Sequence, residues 1–337
     1  MTTEREVVTQ RETIAETEAA QQIEQACNQI INLRKRPLLV LYYPGPYGQM
    51  IENDVRDCYQ AFRSSGIIAE KPLPNCDVLI HTFGGDPTAA YRLGQAIRDF
   101  GQQIVYLVPE YAYSAGTLLC FSGNQIRFGH YAGLSPIDIT MVSQDRRATE
   151  EEVELTSIDY FMEFARDGQK QIQQVLSDTV RESLCATIGS DLLCRMVDQI
   201  GALKVGEYYR ARTLTGHYAE EFLDRYMLHG LPNAKGRRNT IIRSLLFRAP
   251  AHQYYLDFHM CVDLGLEVEE MSTTESDVAK QVVTILDDLA RREIICPNVT
   301  DMVKMPFIAF YPFAKQGSGT TQTSGSTQKS GGNPNEH

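Results

Sequence analysis

Two short stretches of the chain carry residues whose types and order point to acyl chemistry. The first is His81-Thr82-Phe83-Gly84-Gly85-Asp86. A glycine pair directly after an apolar run leaves the backbone bare, so that its N–H groups can face a ligand and hold a developing oxyanion. A tight strand-to-helix turn is the other use of such a pair. The second stretch is Val108-Pro109-Glu110-Tyr111-Ala112-Tyr113-Ser114-Ala115-Gly116-Thr117. Here a serine stands at the predicted start of a helix, and Ala115 and Gly116 leave room for another group to come close. A serine in that place either caps the helix or acts as a nucleophile whose developing charge meets the positive helix end. Together, one strand–helix unit apart, the two stretches read as a nucleophile, Ser114, with an adjacent oxyanion hole at the glycine pair.

The elements that must position these residues follow from hydrophobic periodicity. Leu38 to Tyr43, Asp77 to Phe83, Gln103 to Val108 and Gln125 to Phe128 are apolar runs of strand length. Between them, Gln49 to Ser65, Thr88 to Phe100 and Ser114 to Phe121 have helical spacing. Strands that are apolar throughout and separated by helices predict an α/β fold with a parallel sheet covered on both faces. Ahead of them, Thr9 to Arg36 predicts an amphipathic helix, either packed on the body or a neighbouring subunit or frayed in solvent, with Pro37 ending the pattern. The second half predicts helices at Glu150 to Ala165, Gln169 to Ile188, His217 to Leu228, Gln253 to Leu264 and Asp277 to Arg292, with Gly265 as a C-cap. From Gln316 to His337 the composition is Gly, Ser, Thr, Gln and Asn, which predicts disorder.

Composition bounds the rest. The chain has 337 residues, is 43% hydrophobic and 22% charged, and carries a net charge of −11. Its mean hydropathy is −0.28 and its pI about 5.2. Such a chain can bury a full core, as one large α/β domain with additions or as two domains. The acidic balance argues against nucleic acid as the main partner. No apolar run reaches the ~18 residues of a membrane span. Met1 to Glu24 lacks a secretory h-region, and the eight cysteines form no C-x-x-C. Buried thiols in a reducing cytoplasm are the expectation. With no closely paired zinc ligands, P-loop or dinucleotide fingerprint, no cofactor or metal is expected. The segment from Lys235 to Arg248 is a basic island with Arg237, Arg238 and Arg243, readable as a solvated surface or as a docking patch for an acidic partner or a nucleic acid. Ile241, Ile242, Leu245, Leu246 and Phe247 within it suggest a helix with one buried face.

The pair H-T-x-G-G and Y-S-A-G-T, followed by Leu134-Ser135-Pro136-Ile137-Asp138, resembles the serine dehydrogenase proteinase family of the Clp-protease/crotonase superfamily, near the signal peptide peptidase A type. The likeness runs from Leu38 to Asp138 and resumes from His252 through Gly265-Leu266-Glu267-Val268. It implies a spiral of parallel strands flanked by helices, Ser114 as nucleophile, Gly85 with Gly84 at the oxyanion hole and the Ala115 amide as a second donor there, Asp138 closing the loop beside the site, a polypeptide substrate and a homo-oligomeric ring. The implied organisation is an arm over 1–37, a core over 38–268 with an insertion at about 217–251, a helical extension over 269–315 and a tail over 316–337. The chain departs from the family at the general base. A dyad lysine is expected after the Pro-Ile-Asp loop, where this sequence reads Ser157-Ile158-Asp159-Tyr160-Phe161, with Tyr160 near the expected position. Lys170, His252 and His130 are the remaining base candidates; His81 is read as shaping the glycine loop through a hydrogen bond. A serine hydrolase of peptidase type is the leading reading. A catalytically weak or inactive scaffold or regulatory subunit and a crotonase-like thioester enzyme are the alternatives.

Overall fold

The computed structural model describes residues 4–45, 48–137, 202–249, 251–252, 254–294 and 306–313. The expectations for Asp138, Tyr160, Lys170, the two helices between 150 and 188 and the tail lie outside these residues. In chain order the elements are α1 (Glu4–Arg34), β1 (Leu38–Tyr42), α2 (Asn53–Ser64), β2 (Leu73–His81), α3 (Pro87–Phe100), β3 (Gly101–Val108), β4 (Tyr111–Ala112), α4 (Ala115–Cys120), β5 (Gln125–Phe128) and β6 (Gly133–Leu134). There follow α5 (Ala202–Phe222), α6 (Ala234–Ile242), α7 (Phe258–Leu264), β7 (Val268–Glu270), α8 (Thr273–Ile294) and β8 (Phe307–Tyr311), with π-helical turns at Leu223–Met227 and Arg243–Phe247.

The central sheet has the order β7-β5-β3-β2-β1-β8. All neighbours pair in parallel except β8, which runs antiparallel along β1 with Leu38 opposite Tyr311. This is the expected α/β fold, a mostly parallel sheet flanked by helices. Its two faces explain the continuous apolar runs. Leu39, Leu41, Val78, Ile80, Tyr106 and Val108 point into one core with α2 to α7. Leu38, Val40, Tyr42, Leu79, Val105 and Leu107 point into a second core with α1 and α8. Period-two alternation is hidden because both faces are buried.

Helix α1 packs on the body. Ile23, Ala26, Cys27, Ile30 and Ile31 are buried with Val282, Val283 and Leu286 of α8. Arg34 at its end bonds to buried Asp77 and, at 3.0 Å, to Glu275. The segment 217–251 is likewise part of the body: Leu223, Ile241, Leu245 and Leu246 join the larger core, whereas Phe247 stays exposed. Among its described basic residues, Arg225 pairs with Glu221 (2.8 Å), Arg237 binds the Gly265 carbonyl (2.8 Å) and Glu267 (2.5 Å), and Arg238 binds Asp224 (2.5 Å).

Three differences from the sequence reading have local causes. Helix α2 starts at Asn53 rather than Gln49 because Met50 is taken up in a bridge to Gly85. Helix α7 starts at Phe258 rather than Gln253: Leu256 pairs with Leu134, and the Asp257 carboxylate caps the helix by accepting from the Met260 N–H (2.8 Å). Its end at Gly265, with φ +87°, is as expected. Within 269–315, read as a helical extension with its helix at Asp277 to Arg292, Phe307–Tyr311 forms a strand along the edge of the sheet. Five cysteines, Cys27, Cys58, Cys76, Cys120 and Cys261, are free and buried. Burial pushes the Cys27 and Cys261 thiols up to about 12, so they are inert at neutral pH.

Candidate active site

Beyond β2 the chain runs on beside β4 and so brings the two glycine- and serine-bearing stretches into register. The Thr82 N–H donates to the Tyr111 carbonyl (3.2 Å), and the Tyr113 N–H to the Thr82 carbonyl (3.0 Å). Two residues further along each strand, Gly84 meets Ser114. A Cβ on Gly84 would stand 2.9 Å from the Ser114 Cβ and 3.2 Å from the Tyr113 carbonyl oxygen, and Gly84 has φ +121°. Both facts demand glycine. Gly85 is pressed on its other side by Met50, whose N–H donates to the Gly84 carbonyl (3.0 Å) and whose carbonyl accepts from the Asp86 N–H (3.0 Å). A Cβ on Gly85 would lie 2.3 Å from the Met50 nitrogen. Asp86 then starts α3, its carboxylate accepting from the Ala89 N–H (2.8 Å), with Pro87 in the first turn.

Ser114 has φ 51° and ψ −116°, and its side chain makes no capping hydrogen bond. The capping reading of this serine is thereby excluded. A non-glycine residue in that region carries on the order of 1–3 kcal/mol of strain, which the surroundings must hold in place. They do so through a buried chain of hydroxyls. The Ser114 N–H donates to Ser135 Oγ (2.7 Å), the Ser135 N–H to Thr117 Oγ1 (3.1 Å), and the Thr117 hydroxyl to the Ala112 carbonyl (2.7 Å). Ser135 follows β6, which lies beside β4, so the small two-stranded sheet fixes the distance across which this network reaches.

The amides that frame Ser114 differ in their state. The Gly84 N–H donates to Thr82 Oγ1 (3.0 Å), so this residue contributes close approach and its amide is already engaged. No acceptor among the described residues takes the Gly85 or the Ala115 N–H. The Ser114 hydroxyl makes no hydrogen bond with any described residue and is half-buried. Phe83, 39% exposed, stacks near Tyr111 (4.4 Å between centroids) and Tyr113 (5.9 Å), giving an aromatic ledge next to Ser114.

The base candidates are placed as follows. His130 lies in the exposed turn after β5, where its backbone N–H donates to Ser276 Oγ (3.2 Å). His252 is half-buried in the stretch leading to Leu256, which pairs with Leu134 next to Ser135. Lys170 lies outside the described residues. His81 does not make the loop-shaping hydrogen bond expected of it. Its ring is fully buried, stacked on Tyr42 and tilted against Tyr111, and neither nitrogen has a hydrogen-bond partner among the described residues. Sequence reasoning missed the parts of Ser135 and Met50. Ser135 stood in the quoted Leu-Ser-Pro-Ile-Asp stretch, but nothing in its local pattern ties it to an amide 21 residues earlier.

No family model matches the chain. An uncharacterized protein of Methanocaldococcus jannaschii is 35% identical over 69 residues, which is 20% of this chain and 23% of that protein. Among solved structures, a mutant of 1510-N, a membrane-bound stomatin-specific protease, is similar over 40% of this chain and 63% of that chain, with 15% identity and a TM-score of 0.24. The matched part is thus under a quarter of the first relative's length and under two thirds of the second's. Among the described residues, no helix is long and apolar enough to cross a membrane.

Proposed function

We propose that the chain is a serine hydrolase of peptidase type with Ser114 as its nucleophile. The observation that carries this reading is the Ser114 backbone, held at φ 51° and ψ −116° with its hydroxyl withheld from the helix cap. Strain of this kind is kept where it serves a site. Ser114 Oγ attacks a substrate carbonyl carbon; its proton passes to the base, and the carbonyl electrons move onto oxygen. The Gly85 and Ala115 N–H groups hold that oxyanion, each worth on the order of 10²–10³ in rate. Collapse expels the amine, which takes the proton, and water then releases the acid from the acyl-enzyme. Lys170, His252 and His130 are the candidates for the base. The resemblance to the serine dehydrogenase proteinase family supports a polypeptide substrate and a ring of identical subunits, and the buried free thiols support a reducing cytoplasmic setting. The ledge of Phe83, Tyr111 and Tyr113 suits an apolar substrate side chain.

A second reading, a catalytically weak scaffold of the same fold, is favoured by Ser157 to Phe161, which lacks the expected lysine. A fluorophosphonate probe separates the two. Labelling of the wild-type chain that disappears in Ser114→Ala supports the hydrolase. A folded wild-type chain that takes no label, or a Ser114→Ala variant labelled as strongly, overturns it; the first of these outcomes favours the scaffold.

A further inference from the structure

On the side of the sheet that faces α8, three side chains from distant parts of the chain converge. His81 ends β2, Glu110 stands in the turn between β3 and β4, and Asp287 lies on α8. One donor atom from each lies within 4.8 Å of the others. His81 is 0% exposed. Burial pushes its pKa down to about 4, against the pull of Asp287. The imidazole is therefore neutral at pH 7, with a lone pair free to coordinate. Its Nδ1 is 3.8 Å from Glu110 Oε2, too long for a hydrogen bond, and both nitrogens are orphaned among the described residues. A buried polar atom without a partner is costly and calls for an explanation.

The carboxylates are already oriented from behind. The Tyr42 hydroxyl donates to Asp287 Oδ1 (2.5 Å), and Lys280 Nζ sits 3.5 Å from Glu110 Oε1, leaving Oε2 turned toward the imidazole. Outer partners of this kind are what metal ligands require. A divalent cation answers the need of the ring: it takes up the orphaned imidazole lone pair, with the two carboxylates close enough to complete the ligand set.

We propose that His81, Glu110 and Asp287 form a binding site for a first-row divalent cation of the zinc type. One nitrogen and two oxygens suit this class, and a water fills an open position. Glu110 and Asp287 are half-buried, so a cation and its water can reach the three donor atoms, which lie within 4.8 Å of one another. The pattern is invisible to a search for closely spaced ligands, because each ligand comes from a different element. The cation would tie together the end of β2, one residue before Thr82, the turn four residues before Ser114, and α8. It would brace the two stretches that meet at the proposed active site without touching substrate.

The test is metal binding by the full chain, after chelation and dialysis, with zinc and then cobalt titrated by calorimetry and absorption. The expected result is one saturable site, a higher melting temperature with zinc, and cobalt d–d bands without the charge-transfer band that thiolates give. Glu110→Gln and Asp287→Asn should each weaken binding by more than the roughly 10–100-fold typical of an outer-shell partner. His81→Gln, its fold checked by circular dichroism, should abolish binding; if that variant fails to fold, the two carboxylate variants decide. Absence of saturable binding, a thiolate band, or affinity unchanged in Glu110→Gln and Asp287→Asn overturns the proposal. None of these outcomes depends on whether Ser114 is a nucleophile.

Discussion

Ser114 and His81 are two residues held against their own preferences, one in its backbone and one in its solvation. At φ 51° and ψ −116° Ser114 occupies a conformation natural to glycine. Ser114→Gly should therefore raise unfolding free energy by about 1 kcal/mol while removing fluorophosphonate labelling. Ser114→Ala should remove labelling without that gain, and paired urea melts of the two variants read the difference. For His81 the sign runs the other way from a salt-bridged histidine. Its folded pKa, about 4, lies below the ordinary 6.5, so the unfolded chain takes up the proton first as pH falls. Its contribution is whole above pH 6.5 and is lost as pH drops toward 4, by up to about 3 kcal/mol. Among the described residues, Glu110 and Asp287 are the charged groups whose donor atoms lie near the ring, and Lys280 reaches Glu110 from its other side. Melting curves in metal-free buffer at pH 7 and pH 5 should diverge for the wild type and converge for His81→Gln.

At the scale of elements, the site is a joint between the end of β2, β4, α4 and the loop after β6. Much of that joint was legible in the sequence. Apolar runs gave β1, β2, β3 and β5, and the glycine pair and serine marked where they open, because backbone freedom and small size leave a local trace. The brace did not. Ser135 is an ordinary serine until β4 and β6 are placed side by side, and a two-residue strand has too short a pattern to be read. Met50 falls inside the helix that the spacing predicts over Gln49 to Ser65, and only the bridge to Gly85 excludes it. Ser135→Ala removes the acceptor of the part-buried Ser114 N–H and should cost about 1 kcal/mol of stability. Its labelling rate should fall while Ser135→Thr, which keeps the hydroxyl, retains more of it. Equal rates in the two variants would remove Ser135 from the support of the site.

At the scale of the molecule, one sheet separates two cores of different make. The face bearing α2 to α7 draws its contacts from the middle of the chain, whereas the other is closed by α1 against α8. Segment 307–311 was unreadable as a strand of this sheet because nothing local says that its partner is β1. Its role is testable: ending the chain at Pro306 should uncover the β1 edge and the surface beneath Phe310, which packs on Phe62 (4.8 Å). We expect lower melting temperature and concentration-dependent association, seen by light scattering.

The closure of that second face also sets a timetable for synthesis. Tyr42 finds its partner Asp287 at a separation of 245 residues, and β1 finds β8 later still. A ribosome adding ~5–20 residues per second holds the apolar seam of α1 and the outer edge of β1 open for about ten seconds or more before α8 and β8 emerge. The nascent chain must spend that interval with its first elements uncovered. Early chaperone engagement should therefore fall on α1 and β1, and release should await the emergence of the final strand.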